Sequence, residues 1–149
     1  MRAVAQRVAR ASVHVGPELI GAIEIGLLVL LGVGVDDSPQ DAKALAAKIA
    51  SLRIFNDAAG LMNQSVLDVG GRVLLVSQFT LHGDARKGRR PSFISAAPED
   101  RAKCLYELTG RELALNGLSV SYGRFGATME VELVNQGPVT ILLDTKKQF

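Results

Sequence analysis

Val73-Leu74-Leu75-Val76-Ser77-Gln78-Phe79-Thr80-Leu81 is the stretch whose reading decides the fold. Val73 to Val76 are successive aliphatic residues, the pattern of a strand buried on both faces. Ser77, Gln78 and Thr80 then enter the same apolar run with no Gly or Pro to end it. A buried hydroxyl or amide without a partner costs about 1–3 kcal/mol, so these side chains either bond neighbouring strands or face a cavity. On an extended chain Gln78 and Thr80 point to one side, Ser77 and Phe79 to the other.

Outward from this strand the pattern is that of a mixed sheet with two helices. Residues 2–15 alternate, with Ala3, Ala5, Arg7, Ala9, Ala11, Val13 and Val15 on one side, as a half-buried strand does. Arg7 is the one charge on that side, and its five donors need acceptors: it either reaches the sheet edge or holds another piece of backbone. His14 lies with Arg10 and Ser12 and reads as a solvated side chain. Glu18 to Ile25 and Gly26 to Val35 predict two further strands. Ser38-Pro39 caps and opens a helix whose stripe is Ala42, Leu45, Ala46, Ile49 and Leu52. Gly70-Gly71 turns the chain into the central strand.

Beyond Leu81 the chain becomes polar, and Arg86, Lys87, Arg89 and Arg90 cluster beside Gly88. Such a loop is either solvated or suited to phosphates. Pro98 opens a second helix with Ala102, Leu105 and Leu108 inward, Gly110 weakening its middle and Asn116-Gly117 closing it. Strands follow over Ser119 to Phe125, Thr128 to Val134 and Val139 to Leu143, with Asn135-Gln136-Gly137-Pro138 as a turn. The predicted class is α+β: a mixed, barrel-like sheet with two main helices.

Composition bounds the function. A chain of 149 residues is expected to be one domain, 1–149, burying about 68–70% of its unfolded surface. Charge is nearly balanced, 17 Lys+Arg against 15 Asp+Glu, which excludes a strongly basic DNA-coating protein but allows a local cationic patch. The single Cys104 excludes an internal disulfide framework and fits a reducing compartment. The start lacks a signal-peptide layout, and Gly26 to Val35 falls short of the ~20 apolar residues a spanning helix needs. A cytoplasmic protein with no membrane partner is expected. No His, Cys and carboxylate set has metal-ligand spacing, so no metal and no cofactor are expected. His82, two residues after Thr80, would share its side on an extended strand, which leaves a Thr–His hydrolytic pair open.

Ser77-Gln78-Phe79-Thr80-Leu81 together with Asn135-Gln136-Gly137-Pro138-Val139-Thr140 resembles the D-aminoacyl-tRNA deacylase family. Gln6-Arg7-Val8, Leu52-Arg53-Ile54-Phe55, Arg86-Lys87-Gly88-Arg89-Arg90-Pro91-Ser92-Phe93 and Gly123-Arg124-Phe125-Gly126-Ala127 follow the family's pattern in its order. The resemblance implies an esterase that releases D-amino acids, and glycine, from the 3′ end of charged tRNA. It implies a cis Gly137–Pro138 peptide in a loop that enters the active site of a partner subunit and faces Ser77, Gln78, Phe79 and Thr80. The expected assembly is therefore a homodimer with sites at the interface. Arg7 would fix that loop, and Phe125 and Met129 would wall the site near the terminal adenine or the loop. Arg86, Lys87, Arg89 and Arg90 are the expected tRNA contacts.

The mechanism so implied uses main chain: N–H groups around Gln78, Phe79 and Thr80 stabilise the oxyanion, with help from the substrate 2′-hydroxyl. Carbonyls of Gly137 and Pro138 would fill the space of an L side chain. His82 and Gly83 depart from the family's Tyr and Ala, which puts a titratable group near the site. A non-catalytic RNA-binding barrel and a Thr/His esterase remain as alternatives.

Overall fold

The N-terminal alternation builds β1 (Arg2–Val15) in the computed structural model, which describes residues 1–148. Its first half pairs antiparallel with β3 (Gly26–Gly32) and its second half with β2 (Glu18–Ile23). The opposite edge of β1 is taken by β8 (Glu130–Asp144) along almost its whole length. Strand order is β2-β1-β3-β6-β7, with β6 (Arg72–Ser77) parallel to β3 and β7 (Ser119–Tyr122) parallel to β6. Parallel neighbours need crossovers, which α1 (Pro39–Ser51) and α2 (Glu99–Leu115) supply. A small hairpin of β4 (Phe55–Asn56) and β5 (Met62–Gln64) lies between α1 and β6.

The sheet curls until its ends meet. Ser121 Oγ in β7 donates to the Ala22 carbonyl in β2 at 3.3 Å. Gly21 is needed at this seam, because a Cβ there would lie 2.6 Å from the Tyr122 carbonyl oxygen. The result is the nearly closed mixed sheet with two helices that the sequence predicts.

Apolar runs in β3 and β6 are explained by burial on both faces. Leu27, Val29, Leu31, Val73 and Leu75 meet the helices, whereas Leu28, Leu74 and Val76 join Val8, Val13 and Ile23 in a second cluster. Helix α1 starts with a capping box between Ser38 and Asp41 and buries Ala42, Leu45, Ala46 and Ile49, as expected. In α2, Gly110 answers to packing, since a Cβ would sit 2.5 Å from the Tyr122 ring. Among the described residues, no helix is long and apolar enough to cross a membrane.

Four expectations change. The central strand stops at Ser77, and Phe79–His82 forms a 3-10 turn. The last strand bond is Gln78 N–H to the Leu31 carbonyl at 2.7 Å; β3 then ends, and Leu81 N–H closes back on Gln78 at 3.2 Å. The strand from Ser119 ends at Tyr122, short of Phe125. The two final strands are one, β8, in which Gln136 to Val139 bulge out opposite Arg7 while Asn135 and Thr140 pair with Val8 and Gln6. His14 is half-buried, because β2 and β8 flank it on both edges.

Candidate active site

The carboxyl ends of parallel β3 and β6 diverge where the chain leaves for α1 and α2, a geometry that leaves a crevice. Here it is a cavity of about 470 Å³. Leu31, Val76 and Ser77 form its floor, Gln78 and Phe79 one rim, and Phe125, Met129 and Tyr106 the far walls. Tyr106 carries no sequence signal of this role, since only the stripe of Ala102, Leu105 and Leu108 marks the helix's inner face. Its hydroxyl donates to the Leu75 carbonyl at 2.8 Å, and burial first, then Tyr122 and Glu107, push its pKa up, so it stays neutral. Its ring packs on Phe125 with centroids 5.5 Å apart. Glu99, at the start of α2, is the one carboxylate among the described residues lining the cavity.

The turn at the rim presents main chain. Gln78 N–H is already bonded to Leu31, and Leu81 N–H to Gln78. The N–H groups of Phe79 and Thr80, at the first positions of the turn, have no acceptor within it. Gln78 Nε2 donates to Thr80 Oγ1, so the two side chains brace each other across the turn.

His82 does not serve Thr80 as a base. Thr80 is exposed, whereas His82 is 7% exposed and lies against Gly32 and Gly34, where a Cβ would approach the imidazole to 3.1 and 2.9 Å. Its Nε2 has no partner among the described residues. Burial lowers its pKa; a backbone bond to Gly32 opposes that, Arg2 and the N-terminal amine reinforce it, and Asp37 opposes it. A 3-10 turn, unlike a strand, sends residues i and i+2 in different directions, and the side chains part for that reason.

Arg7, Gly137 and Pro138 assemble a second unit. Arg7, 8% exposed, donates from Nε to the Gln136 carbonyl at 2.9 Å and from Nη1 to the Ile54 carbonyl at 2.7 Å and Asn56 Oδ1 at 3.2 Å. Of the two readings of Arg7, it holds backbone. Asn135 Oδ1 accepts from Val139 N–H at 2.8 Å and closes the bulge from the other side. The Gly137–Pro138 peptide is cis, and Gly137 has φ +130°, with room for a Cβ denied by Arg7 Nη2 and Val139 Cγ2, each at 2.8 Å. Gly137 and Pro138 are exposed and do not line the cavity that holds Ser77, Gln78, Phe79, Phe125 and Met129. Thr80 stands outside that lining as well.

The cationic loop is closed at its base by paired backbone bonds between Asp84 and Ser92, 2.8 and 2.9 Å. Arg86 is engaged with Asp84 through Nε at 2.9 Å and Nη2 at 2.6 Å, which holds the Asp84 carboxyl well below the usual carboxylate range. Lys87, Arg89 and Arg90 are exposed.

Residues 4–144 match the sequence model of the family described as D-Tyr-tRNA(Tyr) deacylase. The chain is 62% identical to a D-aminoacyl-tRNA deacylase of Koribacter versatilis (strain Ellin345), over 100% of both chains. It is 58% identical to a D-aminoacyl-tRNA deacylase of Thermosipho africanus (strain TCF52B), again over 100% of both. A solved structure titled c-Myc DNA Unwinding Element Binding Protein superposes with TM-score 0.91 and 42% identity, over 97% of this chain and 99% of that one. A probable eukaryotic D-amino acid tRNA deacylase superposes with TM-score 0.81 at 17% identity, over 95% and 97%, which speaks for the fold.

Proposed function

The chain belongs to the D-Tyr-tRNA(Tyr) deacylase family and hydrolyses the ester bond of D-aminoacyl-tRNA, and we propose that it does so with main-chain groups of the Phe79–His82 turn. The observation that carries this mechanism is the pair of N–H groups, Phe79 and Thr80, left without acceptors in the turn at the rim of an apolar cavity. Water attacks the ester carbonyl, and the oxyanion takes hydrogen bonds from these two donors. One such donor is worth about 2.7–4 kcal/mol of transition-state stabilisation. The Gln78 N–H, engaged with Leu31, is not a donor in this scheme. The ribose 2′-hydroxyl moves the proton to the leaving 3′-oxygen, so no protein base is required. Glycyl-tRNA, which has no side chain to reject, is a second substrate.

Rejection of L substrates falls to the Gly137–Pro138 bulge. It is exposed, bonded by Arg7 and Asn135, and outside the lining of the cavity of its own chain. We assign it to the cavity of a second subunit in a two-fold homodimer, where its carbonyls fill the space an L side chain would need. Arg86, Lys87, Arg89 and Arg90 meet tRNA phosphates, and the enzyme works in the cytoplasm on charged tRNA.

The test is incubation with D- and L-aminoacyl-tRNA of the same tRNA. Release of the D-amino acid with the L ester left intact is expected. Binding without release would favour a non-catalytic RNA-binding barrel, and an aminoacyl ester trapped on Thr80 would favour a Thr-based esterase.

A further inference from the structure

The cationic loop and the cavity are joined by an apolar strip. The backbone bonds between Asp84 and Ser92 that close the loop set Phe93 and Ile94 directly beyond it. Ile94 is 89% exposed and Phe93 37%. The Phe93 ring meets that of Phe79 edge-on, with centroids 5.1 Å apart and planes at 67°. Phe79 is itself 59% exposed and forms part of the cavity rim. Phe79 at the cavity rim therefore touches Phe93, and Ile94 follows Phe93 in the chain just past the loop that carries Lys87, Arg89 and Arg90.

Single exposed apolar residues need no explanation, but two aromatic rings and an isoleucine kept in water beside three cations do. Rings that present a face or edge to solvent next to Lys and Arg are what unpaired nucleotides bind: bases stack on the rings and phosphates meet the cations. The Asn135-Gln136-Gly137-Pro138-Val139 bulge assigned to a second copy carries no acidic residue to meet these cations, whereas RNA supplies one negative charge per nucleotide.

We propose that Phe79, Phe93 and Ile94, with Lys87, Arg89 and Arg90, form the subsite for the unpaired nucleotides that precede the terminal adenosine of the tRNA substrate. This rests on the reading that the cavity takes the aminoacylated adenosine. The RNA strand then leaves the cavity over Phe79, places its next base against Phe93 and Ile94, and runs its phosphates along the loop.

The experiment compares two substrates, D-aminoacyl-tRNA and the 3′-O-D-aminoacyl ester of adenosine alone, in wild type and in Phe93→Ala, Phe93→Trp and Ile94→Ser. Phe93→Ala is expected to lower the ratio of kcat/KM on tRNA to kcat/KM on the adenosine ester about tenfold or more. Ile94→Ser should lower it by less, and Phe93→Trp should restore it. Ile94 packs too little to threaten folding, so it keeps the test open if Phe93→Ala misfolds. An unchanged ratio in both truncations overturns the proposal, as does a Phe93→Ala dimer that dissociates on sedimentation, which would assign the strip to a subunit contact. A wild-type enzyme that cleaves neither substrate overturns the deacylase mechanism and this subsite with it.

Discussion

Thr80 and Gly137 separate side-chain from main-chain chemistry. Thr80→Ala removes a hydroxyl that braces Gln78 but leaves both N–H donors in place, so turnover should stay within about tenfold of wild type. A nucleophilic Thr80 would instead cost several orders of magnitude. Gly137→Ala puts a Cβ 2.8 Å from Arg7 Nη2 at φ +130°, which shifts the bulge and should cripple D-ester turnover or abolish the preference for D over L. Kinetics on matched D- and L-aminoacyl-tRNA read both variants. His82 gives a pH dependence with a defined sign. Its folded pKa lies below the ordinary 6.5, so below pH 6.5 the unfolded chain binds a proton that the native state resists. Its contribution to stability is complete above that pH and is lost as pH falls through the window beneath it. His82→Phe should flatten the fall in Tm between pH 7 and pH 5, and parallel Tm profiles for the two proteins would refute this.

At the scale of elements, the bulge in β8 depends on β1 through one side chain. Arg7 is buried and bonds the carbonyls of Gln136 and Ile54, thereby tying the bulge to the segment after α1. Arg7→Met keeps the apolar stem and strands both carbonyls, at about 1–3 kcal/mol each. Urea unfolding should show that loss of stability, and the D-over-L ratio should fall with it because the bulge is no longer held. A variant as stable as wild type would mean that water replaces the guanidinium without cost. The 3-10 turn shows the same dependence of one element on another: Gln78 ends a strand because β3 ends beside it.

At the scale of the whole molecule, the bulge does not line the cavity of its own chain, and the proposed mechanism therefore places it in the cavity of a second copy. Sedimentation should find a dimer at assay concentration, and a fully active monomer would contradict the arrangement. The loop sets the salt response. Replacing Lys87, Arg89 and Arg90 with Gln should reduce the slope of log affinity against log salt by roughly 0.7 for each phosphate no longer neutralised. Arg86→Gln should change it less, since Arg86 already neutralises Asp84. Equal slopes for wild type and the triple variant would mean that the loop is merely solvated.

Where periodicity and local chemistry act alone, the sequence determined the structure. Ser38-Pro39 and the stripe after it define α1, and the aliphatic runs of β3 and β6 announce burial on both faces. The motifs around Ser77 and Gly137 carried the family resemblance, and with it the residues proposed for both halves of the site. Tertiary structure decided what depends on a partner distant in sequence. The strand stops at Ser77 because Leu31 offers the last acceptor, and Gln136 to Val139 bulge because β1 sets the register on both sides of them. Gly110 is required by the Tyr122 ring, and Tyr106 reaches the cavity because α2 crosses the end of β6. His82 turns inward because a 3-10 turn rotates it away from Thr80, and residue order cannot report a rotation that long-range contacts impose.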